Sequence, residues 1–166
     1  MSATQGNTGR SWVFGDDINT DVLAPGIYMK SPLDEMASHC LESVDPEFAR
    51  QVQPGDFVVG GVNFGMGSSR EQAAQVLKHL GVRAVLAQSF GGIFYRNALN
   101  LGLLALVCPD APFIAVGDRL EVDPREGWVT NRTMQQRHAC EPIPEHLLEM
   151  INDGGLVPHL EKRLKG

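Results

Sequence analysis

The sequence predicts an α/β fold in which parallel strands alternate with helices. Three short apolar runs, at 57–60, 84–87 and 103–107, have the length and composition of buried strands. Segments with helical apolar spacing separate them, which is the order typical of strand–helix–strand units. Polar and apolar residues alternate on both sides of a turn at 124–127, which predicts a hairpin. Antiparallel pairing is therefore expected beside the parallel strands.

The boundaries of the other predicted elements follow from residues that start or end helices and turns. Proline and glycine mark several boundaries: Pro46 suits the first turn of a helix, while Gly81 and Gly102 each end one. The elements are a strand at 12–14, a polar loop at 16–25, helices at 32–40, from 45, at 71–80 and up to 100, and closing helices at 144–150 and 156–164.

The composition sets limits on the class of protein. The length of 166 residues and hydrophobic content of 43% predict one globular domain at 11–166, after a flexible polar tail at 1–10. A net charge of -6 without a basic run disfavours nucleic acid as a partner. No apolar run is long enough for a membrane span. Three scattered cysteines without CxxC spacing predict reduced thiols and a cytoplasmic protein, and the histidines lack metal-ligand spacing.

One stretch carries most of the functional information. After the strand at 57–60, the segment 63–72 holds two glycines, two serines and an arginine, and a helix follows it. A glycine turn at a helix start presents backbone N–H groups to an anion. Arg70 adds a planar fork that matches a carboxylate. Taken alone, this serine turn, 65–71, is more often an ordinary strand–helix connection.

Two further sequence blocks change the interpretation of the serine turn. The loop 15–22 reads Gly-Asp-Asp-Ile-Asn-Thr-Asp-Val, and the segment 89–103 joins Ser-Phe to Ile-Phe-Tyr-Arg-Asn-Ala and Gly-Leu. With the serine turn, the three blocks resemble the small subunit, or swivel domain, of the aconitase superfamily, in its order and spacing. The resemblance covers nearly the whole chain beyond its start. It implies an aconitase swivelling domain with a mixed, largely parallel, barrel-like sheet flanked by helices.

The resemblance also implies a reaction. Such enzymes isomerise hydroxy acids by removing and re-adding water across a double bond. A [4Fe-4S] cluster on a large iron–sulfur subunit acts as Lewis acid, and a serine alkoxide takes the proton from the neighbouring carbon. This chain would bind no cluster itself, and it would need that large subunit as its partner. Its small-molecule substrate would be a 2-hydroxy di- or tricarboxylic acid.

Five residues of this chain match the functional positions of the family. Ser68 matches the catalytic base, and Arg70 the residue that holds a substrate carboxylate, with Ser69 beside it as a secondary hydrogen-bond donor. Asp21 matches an acid that orients a serine or an arginine within the catalytic site. Lys30 lies in the substrate-recognition loop, where its ammonium can bind a distal carboxylate or its stem can flank an alkyl group.

The substrate is left open by the sequence. The first expectation is dehydration of 3-isopropylmalate in leucine biosynthesis, ahead of a homoaconitase-type reaction and of dehydration of 2,3-dimethylmalate. Met66, Gln72 and the pair Gly91-Gly92 depart from the commoner family residues, so the substrate or partner preference is expected to differ from the commonest members. A different class of function is a non-catalytic anion-binding α/β module.

Overall fold

A computed structural model describes residues 8–165 of the chain. Its strands are β1 (Thr8–Val13), β2 (Phe57–Val59), β3 (Ala84–Ala87), β4 (Leu104–Val107), β5 (Arg119–Asp123), β6 (Trp128–Asn131) and β7 (Gln136–Ala139). The described strands form one seven-stranded sheet in the order β4-β3-β2-β1-β5-β6-β7. The sheet is mixed, as predicted.

Helices cover the sheet. They are α1 (Thr20–Leu23), α2 (Leu33–Ala37), α3 (Phe48–Gln51), α4 (Gln72–His79), α5 (Gly92–Asn100), α6 (Glu145–Asn152) and α7 (Leu156–Lys165), with 3₁₀ turns at Gly26–Tyr28 and Ala111–Phe113. Helix α4 buries the alanines, valine and Leu77 of its predicted apolar stripe in the hydrophobic core. No helix within residues 8–165 is long and apolar enough to cross a bilayer.

Strand β1 joins two halves of the sheet. Residues 11–13 pair with β2 in parallel, and β2, β3 and β4 continue in parallel. Residues 8–10 pair with β5 in the antiparallel sense, and β5, β6 and β7 form a meander. Strands β2 and β3 are buried along their whole length, because helices cover the parallel half.

The two ends of the sheet approach each other. The N–H of Glu141, just beyond β7, donates to the carbonyl oxygen of Val107 in β4 at 2.9 Å. Nearby, Nδ1 of His138 lies 3.1 Å from the carboxylate of Asp110. A sheet whose end strands meet in this way is curled, which agrees with the predicted barrel-like core.

The structure departs from the predicted elements in three places. Strand β1 begins at Thr8, inside the predicted tail, because its first residues pair with β5. The loop predicted at 16–25 contains helix α1, which Asn19 caps by accepting a hydrogen bond from the Val22 N–H. Strand β7 was not predicted, because three of its four residues are exposed and its apolar signal is weak. The remainder of the predicted tail, 1–7, lies outside the described residues.

Candidate active site

The three sequence blocks meet at one edge of the sheet. They follow β1, β2 and β3, which are neighbours in the parallel half, and the carboxyl ends of parallel strands share an edge. Backbone hydrogen bonds join the blocks directly. Gly65 N–H donates to the Ile18 carbonyl at 2.6 Å, and Gly91 N–H donates to the Phe64 carbonyl at 2.8 Å. The loop 15–22, the serine turn and the segment 89–103 therefore form one structural unit.

Gly65 permits the close approach of the serine turn to α5. Its φ is +81°, and a Cβ built on it would lie 2.2 Å from the Phe94 ring. Gly91 faces the same turn, since its Cβ would lie 2.9 Å from the Gly65 carbonyl oxygen. Glycine at 91 is therefore required by packing. Gly92 faces open space, with no heavy atom within 4 Å of such a Cβ.

We expect Gly65→Ala to lower the free energy of unfolding by about 2–4 kcal/mol, because the new methyl group combines an unfavourable φ with overpacking against Phe94. Chemical denaturation of the isolated chain measures the change. Gly92→Ala is the matched control, since it adds the same methyl group in open space at the start of α5, and we expect it to be neutral or slightly stabilising. Equal stability of the two variants would contradict this account of the turn.

Ser68 is exposed at the tip of the serine turn. Its Oγ lies 3.2 Å from Oγ1 of Thr20, and either oxygen can be the donor. Helix α4 begins at Gln72, so Ser68 precedes the helix by a full turn. The cation next to it in sequence is Arg70. The predicted base is thus exposed to solvent and lies beside the buried hydroxyl of Thr20, a residue that was not predicted from the sequence.

Arg70 is held by two acceptors from the segment after β1. Its Nη1 donates to Oδ1 of Asp21 at 2.8 Å and to the carbonyl of Ala24 at 2.9 Å. The same Asp21 oxygen accepts from the Gly26 N–H at 2.9 Å. The hydrogen bond from Arg70, followed by that from Gly26, lowers the pKa of Asp21 below its ordinary value. Asp21 therefore stays ionised near neutral pH.

The opposite edge of the Arg70 guanidinium is available for a ligand. Within residues 8–165, no protein group accepts a hydrogen bond from its Nε or Nη2. Those two nitrogens form the fork that binds a carboxylate with two parallel hydrogen bonds. The side chain is 27% exposed, so a ligand can reach it. Asp21 fixes one edge of the arginine and leaves the other free for an anion.

The predicted alternatives for Asp21 are narrowed by this geometry. The sequence predicts that Asp21 orients a serine or an arginine, and the structure pairs it with Arg70. The partner of Ser68 is Thr20, which sequence reasoning missed although it lies in the loop 15–22. The signal was the threonine directly before Asp21, but its importance depends on burial: Thr20 is 3% exposed.

Ser69 and Lys30 are both exposed, and neither makes a hydrogen bond or ion pair within the described residues. Their predicted substrate contacts stay predictions. The loop that carries Lys30 is anchored by Tyr28, whose ring stacks on His39 with a centroid distance of 3.8 Å. Nδ1 of His39 in turn lies 2.7 Å from Glu42. The backbone position of Lys30 is therefore fixed, while its ammonium remains free to reach a ligand.

The cysteines do not form a metal site. Cys40, Cys108 and Cys140 are buried free thiols. Cys108 and Cys140 hydrogen-bond to each other where the two ends of the sheet meet, and this contact, with burial, raises the pKa of the Cys140 thiol. No group of three or more His, Cys, Asp or Glu residues in the described part of the chain could hold a metal ion.

Comparison with known proteins gives consistent matches. Residues 20–111 match the family described as the aconitase C-terminal domain. The 3-isopropylmalate dehydratase small subunit 2 of Archaeoglobus fulgidus is 51% identical over 156 residues, which cover 93% of this chain and 94% of the relative. The methanogen homoaconitase small subunit of Methanothermobacter thermautotrophicus is 47% identical over 158 residues, covering 94% and 91%.

A solved structure matches the whole architecture. The crystal structure of 3-isopropylmalate dehydratase from Methanocaldococcus jannaschii superposes with a TM-score of 0.90 at 40% sequence identity. The match covers 96% of this chain and 95% of that chain. The curled mixed sheet and its helices are therefore shared along essentially the full length of both proteins.

Proposed function

Since this chain belongs to the aconitase family, as its sequence predicted, we propose that it is the small subunit of a hydro-lyase that isomerises 3-isopropylmalate by dehydration and rehydration. One observation of the site carries the proposal. The sheet edge brings an exposed serine together with an arginine that keeps one edge of its guanidinium free for a carboxylate. A base and a carboxylate clamp are the two groups that removal of a proton beside a carboxylate requires.

In this mechanism Ser68 acts as the base. Its alkoxide takes a proton from the substrate carbon, so that an O–H bond forms on Ser68 and a C–H bond breaks. The electron pair left on carbon forms the double bond as hydroxide leaves the adjacent carbon. Arg70 binds the carboxylate and holds that carbon near Ser68, while Asp21 fixes the guanidinium. Rehydration reverses these steps.

An iron–sulfur cluster belongs to the partner in this proposal. Such clusters are held by sets of cysteine thiolates, and when bound they polarise the departing hydroxyl. The thiols of this chain do not fit, because all three are buried and no group of three or more His, Cys, Asp or Glu residues within 8–165 could hold a metal ion. No step of the mechanism is therefore assigned to an iron–sulfur cluster held by this chain.

A large subunit is also needed to close the site. Ser68, Ser69 and Asp21 are all exposed, whereas an alkoxide base needs an environment that excludes water. Exposed apolar side chains lie at the same edge: Met66 of the serine turn is 46% exposed and Ile93, in the first turn of α5, is 45% exposed. We infer that the large subunit covers this edge and completes the active site.

Free buried thiols and the biosynthetic relatives support a cytoplasmic location.

The direct test is reconstitution with an iron–sulfur large subunit of a family member. We expect dehydration of 3-isopropylmalate by the assembled pair and none by either subunit alone, measured by the ultraviolet absorbance of the unsaturated product. Homocitrate and 2,3-dimethylmalate are assayed in parallel. An assembled complex that turns over none of the three would remove the enzyme proposal and favour an anion-binding module.

Homoaconitase activity is the second candidate, because the methanogen homoaconitase small subunit is 47% identical to this chain. The variant Lys30→Val tests whether the recognition loop binds the distal carboxylate of homocitrate. If the ammonium binds a distal carboxylate, we expect the variant to lose activity toward the tricarboxylate and keep activity toward 3-isopropylmalate. Unchanged turnover of the tricarboxylate would show that Lys30 is not its ligand.

A further inference from the structure

Thr20 is buried against the serine turn and fastened to it by its backbone. It is the first residue of α1 and is 3% exposed. Its N–H donates to the carbonyl of Met66 at 2.9 Å, which joins α1 to the turn. Gly67 adopts a φ of +120°, and a Cβ built on it would lie 2.9 Å from Oγ1 of Thr20. The backbone on both sides therefore sets the position of the hydroxyl.

The Thr20 hydroxyl has one side-chain partner within residues 8–165, which is Oγ of Ser68 at 3.2 Å. While both groups are neutral, either oxygen can donate. Once Ser68 has lost its proton, only Thr20 can donate. A hydrogen bond to an anionic oxygen is about twice as strong as one between neutral groups. The contact therefore favours the alkoxide over the alcohol.

We propose that Thr20 is a positioning residue for the base: its hydroxyl donates to the Ser68 alkoxide, stabilises it and fixes its direction. This inference rests on the proposed function, in which Ser68 removes the substrate proton. It adds no covalent step, since the Thr20 proton stays on Thr20 throughout. Because the hydrogen bond is strongest to the alkoxide, it raises the fraction of Ser68 that is ionised and able to take the substrate proton, which affects kcat and its pH profile more than substrate binding.

Two matched pairs of variants test the role of the hydroxyl in the reconstituted complex. Thr20→Val replaces it with a methyl group of similar size, and Thr20→Ala differs from Thr20→Ser by the hydroxyl alone. We expect Thr20→Val to lower kcat for 3-isopropylmalate about 100-fold, with little change in KM. The acid limb of its pH–kcat profile should move to higher pH, because the alkoxide is harder to form. Thr20→Ser should keep most of the wild-type kcat and the wild-type profile.

The outcomes separate the inference from its premise. Wild-type kcat and pH profile in Thr20→Val would overturn it, as would equal losses in Thr20→Ser and Thr20→Ala, which would indicate a packing role for the methyl group. If Thr20→Val does not assemble with the large subunit, the comparison of Thr20→Ser with Thr20→Ala tests the role of the hydroxyl in its place. Ser68→Ala is assayed beside them: if it loses turnover while Thr20→Val does not, only the inference about Thr20 fails. If Ser68→Ala keeps turnover, the assignment of Ser68 as the base fails, and the inference about Thr20 fails with it.

Discussion

We expect Ser68→Ala to lower kcat of the reconstituted complex by about 10²–10⁴-fold, the range that a general base contributes. Alanine removes the only atom of the side chain that can take the substrate proton. The binding groups remain, because the Arg70 guanidinium is held by Asp21 and Ala24 and not by Ser68. KM should therefore change little. Initial rates with 3-isopropylmalate measure both parameters.

Assembly should survive the substitution. Ser68 is exposed, and its one side-chain hydrogen bond within the described residues is to Thr20, so the folded chain loses a single neutral hydrogen bond. Such a bond contributes about 1 kcal/mol to stability. Size-exclusion chromatography of the mixed subunits and the iron content of the complex check that it still forms.

Ser69→Ala is the matched control for Ser68→Ala. The two serines are adjacent and both exposed, but only Ser68 contacts Thr20. If Ser69 is a secondary donor to the substrate, its loss removes one hydrogen bond and should lower kcat/KM by about tenfold or less. A severe loss in Ser69→Ala with near-normal turnover in Ser68→Ala would exchange the two roles.

The parallel half of the fold could be predicted from sequence because its buried strands consist of apolar residues. Strands β2 and β3 are buried on both faces, and their residues form uninterrupted apolar runs with glycine at the boundaries. Strand β7 has no such signal, since three of its four side chains are exposed. Its place depends on pairing with β6, which local sequence does not reveal.

The candidate site shows the same division between local and long-range information. The glycine turn and its serines are contiguous in sequence, so their chemistry could be recognised. Asp21 and Arg70 are separated by 49 residues, and their contact depends on β1 lying beside β2. The sequence therefore left a serine or an arginine as the partner of Asp21. Thr20 was missed because its role follows from burial and from a contact 48 residues away.

Arg70→Lys should lower kcat/KM by about 100-fold, equivalent to about 2.7 kcal/mol. Lysine keeps the positive charge but not the planar fork, so it cannot hold Asp21 with one edge and a carboxylate with the other. The carboxylate is bound both before and during the reaction, and part of the loss should appear in KM. Steady-state kinetics with 3-isopropylmalate measure how the effect divides between the two parameters.

Asp21→Asn separates the position of the arginine from its charge. The amide oxygen can still accept from Arg70 and the Ala24 carbonyl still holds it, so we expect a loss of about tenfold. The Asp21–Arg70 pair should not shape the pH profile near neutrality. Because the pKa of Asp21 is lowered, the ion pair is complete above the ordinary carboxyl range near about 4 and is lost only as pH falls through the lowered value.

Arg96→Lys is the control for a general effect of removing a guanidinium, since Arg96 is an exposed arginine of α5 with no assigned contact to the substrate. It should keep wild-type kinetics. A wild-type kcat/KM in Arg70→Lys would mean that a point charge is sufficient and that the free edge of the guanidinium does not bind the carboxylate in two places. A loss in Asp21→Asn as large as in Arg70→Lys would instead mean that the direction of the arginine, set by the carboxylate, determines binding.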